Sequence, residues 1–272
     1  MKKLVALAVV FAFGFIASAH AADMPMKAPY VKAPIAAPYS WTGFYFGFNA
    51  GAALDPAEVQ TSTIFSPTGY FATTSVPAIA ATGDQSFHTP GFTGGLQLGY
   101  NWQAGNLVYG IETDFNYMGL KGSTTNSALY PCCAPTGFTI NQSVKTDWLY
   151  TLRPRLGWAA NNWLFYVTGG LAVTQIKADF LFTDTFATAN ETASIRKTQA
   201  GWTLGGGVEF GLAGPWSFKA EYLHVDFGTV STTSSNLTAF APPIAFPTNT
   251  FTHSVRLTDD IVRVGVNYRW HP

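Results

Sequence analysis

From Val262 to Trp270 every second residue is large and apolar: Val262, Val264, Val266, Tyr268 and Trp270. Arg263, Gly265, Asn267 and Arg269 stand between them. A β-strand sends alternate side chains to opposite faces. One face of this segment therefore suits hydrocarbon, and the other carries two arginines. Several upstream segments repeat the pattern. The arrangement predicts an all-β fold: a transmembrane antiparallel up-and-down β-barrel with polar residues inside and apolar residues outside.

The N-terminus agrees with that destination. Lys2 and Lys3 precede an apolar stretch from Leu4 to Ala17, and Ala19-His20-Ala21 has the small-x-small form of a cleavage site. This predicts a secretory signal over 1–21, because the apolar run is shorter than the roughly 20 residues of a spanning helix. Residues 22–40 carry four prolines among alanine, lysine and methionine and read as a stiff extended linker. The barrel is expected over 41–272. Charged residues make up 11% of the chain, against roughly 25% in soluble domains. Such a low share suits an exterior that meets lipid. Removing Lys2 and Lys3 from a balanced precursor leaves the mature chain slightly acidic, so nucleic acid is not an expected partner.

Eight strands are predicted: Trp41–Leu54, His88–Gln103, Leu107–Gly119, Val144–Ala159, Trp163–Ala178, Thr198–Leu212, Trp216–Gly228 and Ser254–Trp270. Pro154 in the fourth implies a bulge or a lost ladder bond. The fifth is apolar on both faces, so its orientation stays open. Alternation in the seventh fails after Leu223, which suggests a bulge. Short turns are read at 104–106, 160–162 and 213–215. Long loops are read at about 55–87, 120–143, 179–197 and 229–253. An even strand number with this alternation puts both termini on the periplasmic side.

Tryptophan supplies a second pattern. Trp41, Trp102, Trp158, Trp163, Trp216 and Trp270 fall at the short-turn ends of strands, and Trp148 and Trp202 near the opposite ends. They are expected to form interfacial aromatic girdles. Charge then decides which face is inside. A lipid-facing Arg or Lys at mid-membrane costs about 2–4 kcal/mol. Glu112, Asp114, Asp147, Arg153, Arg155, Glu209, Lys219, Glu221, Arg263 and Arg269 are therefore expected to line the lumen. Either they close it as an ion-pair plug, or they form a constriction that passes ions or small solutes.

Several blocks together resemble one family. They are Ser40-Trp41-Thr42-Gly43-Phe44-Tyr45-Phe46-Gly47, Gly94-Gly95-Leu96-Gln97-Leu98-Gly99-Tyr100-Asn101, Thr168-Gly169-Gly170-Leu171-Ala172, Gly201-Trp202-Thr203-Leu204-Gly205-Gly206-Gly207-Val208-Glu209, Lys219-Ala220-Glu221-Tyr222-Leu223 and Val262-Arg263-Val264-Gly265-Val266-Asn267-Tyr268. In this order they resemble the outer-membrane immunogenic, porin-like family of alpha-proteobacteria, which belongs with opacity-type and outer-membrane-protein-A-type barrels. The resemblance implies a cell outer membrane location, an envelope-integrity role and surface exposure. It also implies contact with outer-membrane lipid and lipopolysaccharide, and recognition of the last strand by the barrel-assembly machinery. Such chains usually end on an aromatic residue, whereas here His271 and Pro272 follow Trp270.

Residues that could carry chemistry are sparse. His224 has no serine two positions away, and His253 and Ser254 are adjacent, so a lipid hydrolase is not expected. His88 and His253 are read as loop histidines. No cofactor or metal is expected. Cys132 and Cys133 are neighbours and could be a vicinal bridge, free thiols or intermolecular links. Phe65, Tyr70, Phe71, Phe240 and Phe246 are loop aromatics that either pack the loops together or bind a host or cell-surface ligand. The chain is thus expected to be a monomeric, non-catalytic surface barrel with a structural and adhesin-like role. A narrow porin is the alternative.

Overall fold

The computed structural model describes residues 39–270, apart from the side chains at 55, 56, 87 and 89. The signal over 1–21, nearly all of the linker and the His271-Pro272 extension lie outside the described residues.

Eight long strands form a closed antiparallel ring. In chain order they are β1 (Gly43–Thr63), β2 (Gln85–Ala104), β3 (Leu107–Leu129), β4 (Gly137–Ala160), β5 (Trp163–Asp184), β6 (Asn190–Gly211), β7 (Trp216–Ser234) and β10 (Phe251–Trp270). A short helix α1 (Ser75–Gly83) follows β1, and two-residue strands β8 (Thr238–Ala239) and β9 (Ile244–Ala245) lie between β7 and β10. Each strand pairs with its chain neighbour, β5 with β6 included, and β10 pairs with β1 to close the ring. Closure leaves no unpaired edge in the half near the short turns, which a lipid environment demands, while β6 and β7 part above Trp202 and Asp226 and β2 and β3 part above Thr93 and Met118.

The strands are 19–24 residues long, about twice the 9–11 that a crossing needs. Polarity explains the surplus. Near the short turns the barrel is polar inside and apolar outside: Phe44, Phe48, Leu96, Phe115, Leu156, Phe165, Val167, Leu204, Val262 and Val264 all point outward. Towards the long loops the order inverts. Ala57, Val59, Met118, Leu120, Val144, Ile176, Phe180, Val225, Phe227, Val255 and Leu257 pack inside as one apolar cluster, while Glu58, Lys121, Lys145, Lys177, Asp179, Arg196 and Arg256 face out. That is how a water-facing barrel is arranged, and each buried aliphatic contributes about 1.5–3 kcal/mol. From Trp270 to Asp260 the strand rises about 33 Å, or about 25 Å at a usual tilt near 40°, which matches the apolar band of a membrane barrel.

The four predicted loops are therefore shorter than expected. Alternation continues through them with apolar and polar faces exchanged, which removes the lipid-facing signature. The alternation of β7 persists to Phe227, and the bulge falls at Gly228, where φ is +68°. Glycine takes this left-handed conformation at little cost. At Pro154 the pairing of β4 with β5 lapses between Leu152 and Arg155, as expected for a missing donor. The orientation of β5 is now fixed: Leu164, Tyr166 and Thr168 face in, while Trp163, Phe165 and Val167 face out.

Candidate functional site

Nine of the ten predicted lumen charges meet in one network. Direct cross-strand register places Glu112 beside Arg153, Glu221 beside Arg263 and Glu209 beside Lys219. Arg153 is the hub. Its Nη2 donates to Glu112 Oε1 and to Asp114 Oδ2, both at 2.7 Å, and its Nη1 reaches Glu221 Oε1 at 3.3 Å. Arg263 donates from Nε to Glu221 Oε2 at 2.7 Å and from Nη2 to Asp114 Oδ2 at 2.9 Å. Lys219 leaves its cross-strand neighbour and reaches across the barrel to Glu112, at 2.9 and 3.1 Å.

A second cluster centres on Glu209. It accepts from Arg155 Nη2 at 3.0 Å, Arg269 Nη2 at 3.3 Å, Asn267 at 3.0 Å and Ser217 at 2.5 Å. Tyr45 joins the clusters: its hydroxyl donates to Glu112 at 2.8 Å and accepts from Arg155 at 2.9 Å. Tyr166 donates to Glu221 at 2.9 Å and lies under the Arg155 guanidinium, 3.9 Å from its ring centre. Glycine makes room for these rings. A Cβ at Gly99 would lie 2.4 Å from the Tyr45 ring, and one at Gly207 would lie 2.7 Å from the Tyr166 hydroxyl.

The network is dry. Each of its nine charged residues is at most 3% exposed. Apolar layers close both sides. Towards the short turns stand Trp41, Val108, Ala159, Leu164 and Tyr166. On the other side lies the large aliphatic cluster of the upper barrel. Within that tier Asp259 is 1% exposed, and neither carboxylate oxygen has a hydrogen-bond partner among the described residues.

Two expected positions are corrected. Asp147 is not in the lumen. An extra residue in β4 between Thr146 and Leu149 flips the strand's phase, so Asp147 points outward and pairs with Lys145 at 2.7 Å and Lys177 at 2.6 Å. The network thus holds four acids and five bases rather than five of each. Trp41 is not in the lipid-facing girdle. It is fully buried inside the barrel mouth with the Arg269 guanidinium 4.6 Å over its ring. The other seven tryptophans point outward: Trp102, Trp158, Trp163, Trp216 and Trp270 at the short-turn end, and Trp148 and Trp202 at the opposite interface.

Sequence reasoning missed the neutral members of the network. Tyr45, Asn49, Gln97, Tyr166, Ser217 and Asn267 share the inward phase of the charges, and that phase was the available signal. It also misplaced His253, which is buried between strands rather than set in a loop. Its Nδ1 meets Thr61 Oγ1 at 3.0 Å and its Nε2 lies 3.3 Å from Glu191. Ser234 is 3.4 Å from His253 but donates to Glu191, so His253 is not placed as its base. His224 faces outward beside Asp260, at 2.8 Å.

The loop aromatics pack together above the upper barrel. Phe71, Ile79, Tyr130, Phe138, Phe182, Leu237 and Phe251 form a buried cap, with Tyr70 and Phe246 against it. Phe240 packs near Tyr70 and Phe246, while Phe65 is exposed. Asp184 ties the cap: it accepts from the hydroxyls of Tyr70 at 2.5 Å and Tyr130 at 2.9 Å, and from the backbone of Ala187 and Ala189. Burial, reinforced by the Asp184 carboxylate, pushes both phenols above their ordinary range. Cys132 and Cys133 form a vicinal disulfide beside this cap.

A family model described as an outer membrane protein beta-barrel domain matches residues 7–269. The chain is similar to the 31 kDa outer-membrane immunogenic protein of Brucella melitensis biotype 1, at 36% identity over 98% of this chain and all of that one. It is also similar to the 25 kDa outer-membrane immunogenic protein of Brucella abortus biovar 1, at 28% identity over 84% and 87% of the two chains. The 22 kDa outer membrane protein of Rhizobium leguminosarum bv. viciae is 33% identical over 52% of this chain and 54% of that one. Among solved structures, OprG from Pseudomonas aeruginosa is similar at a TM-score of 0.45 and 12% identity, over 85% and 98% of the chains, a likeness too loose to carry an argument.

Proposed function

The chain belongs to the outer membrane β-barrel family, and from that premise we propose that it is a closed, non-catalytic barrel of structural and surface-interaction function. The observation that carries this reading is the dryness of the lumen. An open aqueous pore would expose its lining charges, and the nine here are at most 3% exposed between two apolar layers. They act as an ion-pair plug that ties β3, β4, β6, β7 and β10 together across the barrel axis. The work that meets other molecules then falls to the far end, where the strands continue above the membrane and α1, β8 and β9 build a packed cap. The relatives named as immunogenic fit a surface that reaches the cell exterior. Contact with a host or neighbouring cell would reside there. Recognition by the assembly machinery would reside in β10.

Single-channel conductance of the refolded mature chain in a planar bilayer tests the plug. A folded barrel is expected to be silent, and an Arg153→Ala, Arg155→Ala variant to admit flickering current. Steady openings of the unaltered chain would replace this reading with that of a narrow porin.

A further inference from the structure

On the outside of the barrel, just above the outer aromatic level, four basic side chains stand directly beside one another across four strands. Lys121 of β3 pairs with Lys145 of β4, Lys145 with Lys177 of β5, and Lys177 with Arg196 of β6. Direct cross-strand partners share one face, and like charges so placed repel. Four strands at about 4.8 Å make a ridge about 14 Å long. Lys197, next to Arg196 on β6, is in register with the interior residue Ile176 and so belongs to the opposite face. Asp147, shared by Lys145 and Lys177, and Asp179, 2.8 Å from Arg196, offset only two of the four charges. Lys121 makes no ion pair among the described residues. The other side of the barrel at this level has the opposite balance, with Glu58, Asp84, Asp226 and Asp260 against Arg256.

Height selects the occupant. The ridge lies three residues above Trp148 on β4 and four above Tyr117 on β3, both outward aromatics at the membrane interface. The next layer out from an interfacial aromatic belt is the headgroup layer. We infer that the ridge on β3 to β6 is a binding face for a phosphorylated glycolipid of the outer leaflet, and that anionic headgroups gather on this side of the barrel and not on the other. A row of repelling cations at headgroup height is stabilised by multivalent phosphate, and among the described residues only Asp147 and Asp179 offset it. The inference rests on the outer-membrane location, and holds whether or not the lumen conducts.

The probe is lipid A, titrated against the refolded mature chain in neutral detergent and followed by native mass spectrometry. Two ridge variants are compared: Lys121→Gln with Lys145→Gln, and Lys121→Gln alone, the second of which breaks no ion pair seen here. Arg256→Gln is the control on the opposite side. The double variant is expected to bind lipid A at least tenfold more weakly and the single variant about fivefold more weakly, each with a shallower salt dependence. The control should match the parent chain, and dephosphorylated lipid A should bind all of them equally weakly. Unchanged affinity in the second ridge variant would overturn the inference, as would an equal loss in Arg256→Gln. Displacement of lipid A by millimolar inorganic phosphate would also overturn it, because the ridge would then be a simple anion site.

Discussion

Arg153 shows what one side chain decides. It touches three carboxylates that have no access to water. Removing one partner of a buried ionic cluster leaves charge uncompensated, at a cost of about 3–5 kcal/mol. Arg153→Ala should therefore lower the unfolding free energy of the refolded barrel, read from its denaturant titration, by that amount. Asp147→Asn should cost less than about 1 kcal/mol in the same assay, because its lysine pairs are partly solvated surface pairs. The contrast separates a lumen acid from one that the β4 bulge has turned outward. Asp259 predicts the opposite sign. It is buried among aliphatics without a hydrogen-bond partner among the described residues, so Asp259→Leu should stabilise the barrel by about 1–3 kcal/mol. A midpoint unchanged or lowered by that substitution would mean that Asp259 has a partner in solution.

At the scale of the strand, each element is two strands end to end. The half near the short turns obeys lipid, and the half near the long loops obeys water, with one backbone alternation running through both. Glycine is what lets the first half hold rings inside a narrow barrel. Gly99→Ala would drive a methyl into the Tyr45 ring, and overpacking of that kind costs about 1–3 kcal/mol. The substitution should be visible as a slower return to the heat-modifiable folded band on electrophoresis. Gly105, at positive φ in the β2–β3 turn with open space around it, should tolerate Asn far better, since only its conformation matters.

For the molecule as a whole, the cap above the upper barrel is a second, smaller unit of packing with its own pH response. Tyr70 and Tyr130 hold their protons more tightly when folded than when unfolded. A group whose pKa is raised on folding contributes stability that is complete below its unfolded value and is lost as pH rises beyond it. The loss should therefore begin near pH 10, the ordinary phenol value. Limited proteolysis of the loops is expected to accelerate above that pH while the barrel stays folded. Tyr70→Phe with Tyr130→Phe should raise the cleavage rate at neutral pH and flatten its alkaline rise. A parent chain whose loops are cut at the same rate at pH 8 and pH 11 would count against this account.

The membrane half of the barrel was legible in the sequence because hydrocarbon imposes a simple rule. Every second residue from Val262 to Trp270 must be apolar, and Arg263 and Arg269 can then only face inward. Strand identity, closure, seven of the eight tryptophan placements and nine of the ten lumen charges follow from that local rule. What tertiary structure decided was non-local. The inversion of polarity above the membrane depends on what surrounds each face, so the upper halves of the strands read as loops. The single extra residue in β4 reversed the phase of Asp147, and the barrel mouth took Trp41 inside because Arg269 offered it a cation. Which cations meet which acids was also out of reach. Lys219 stands beside Glu209 in register yet reaches Glu112 across the lumen, a choice that exists only once the sheet has closed.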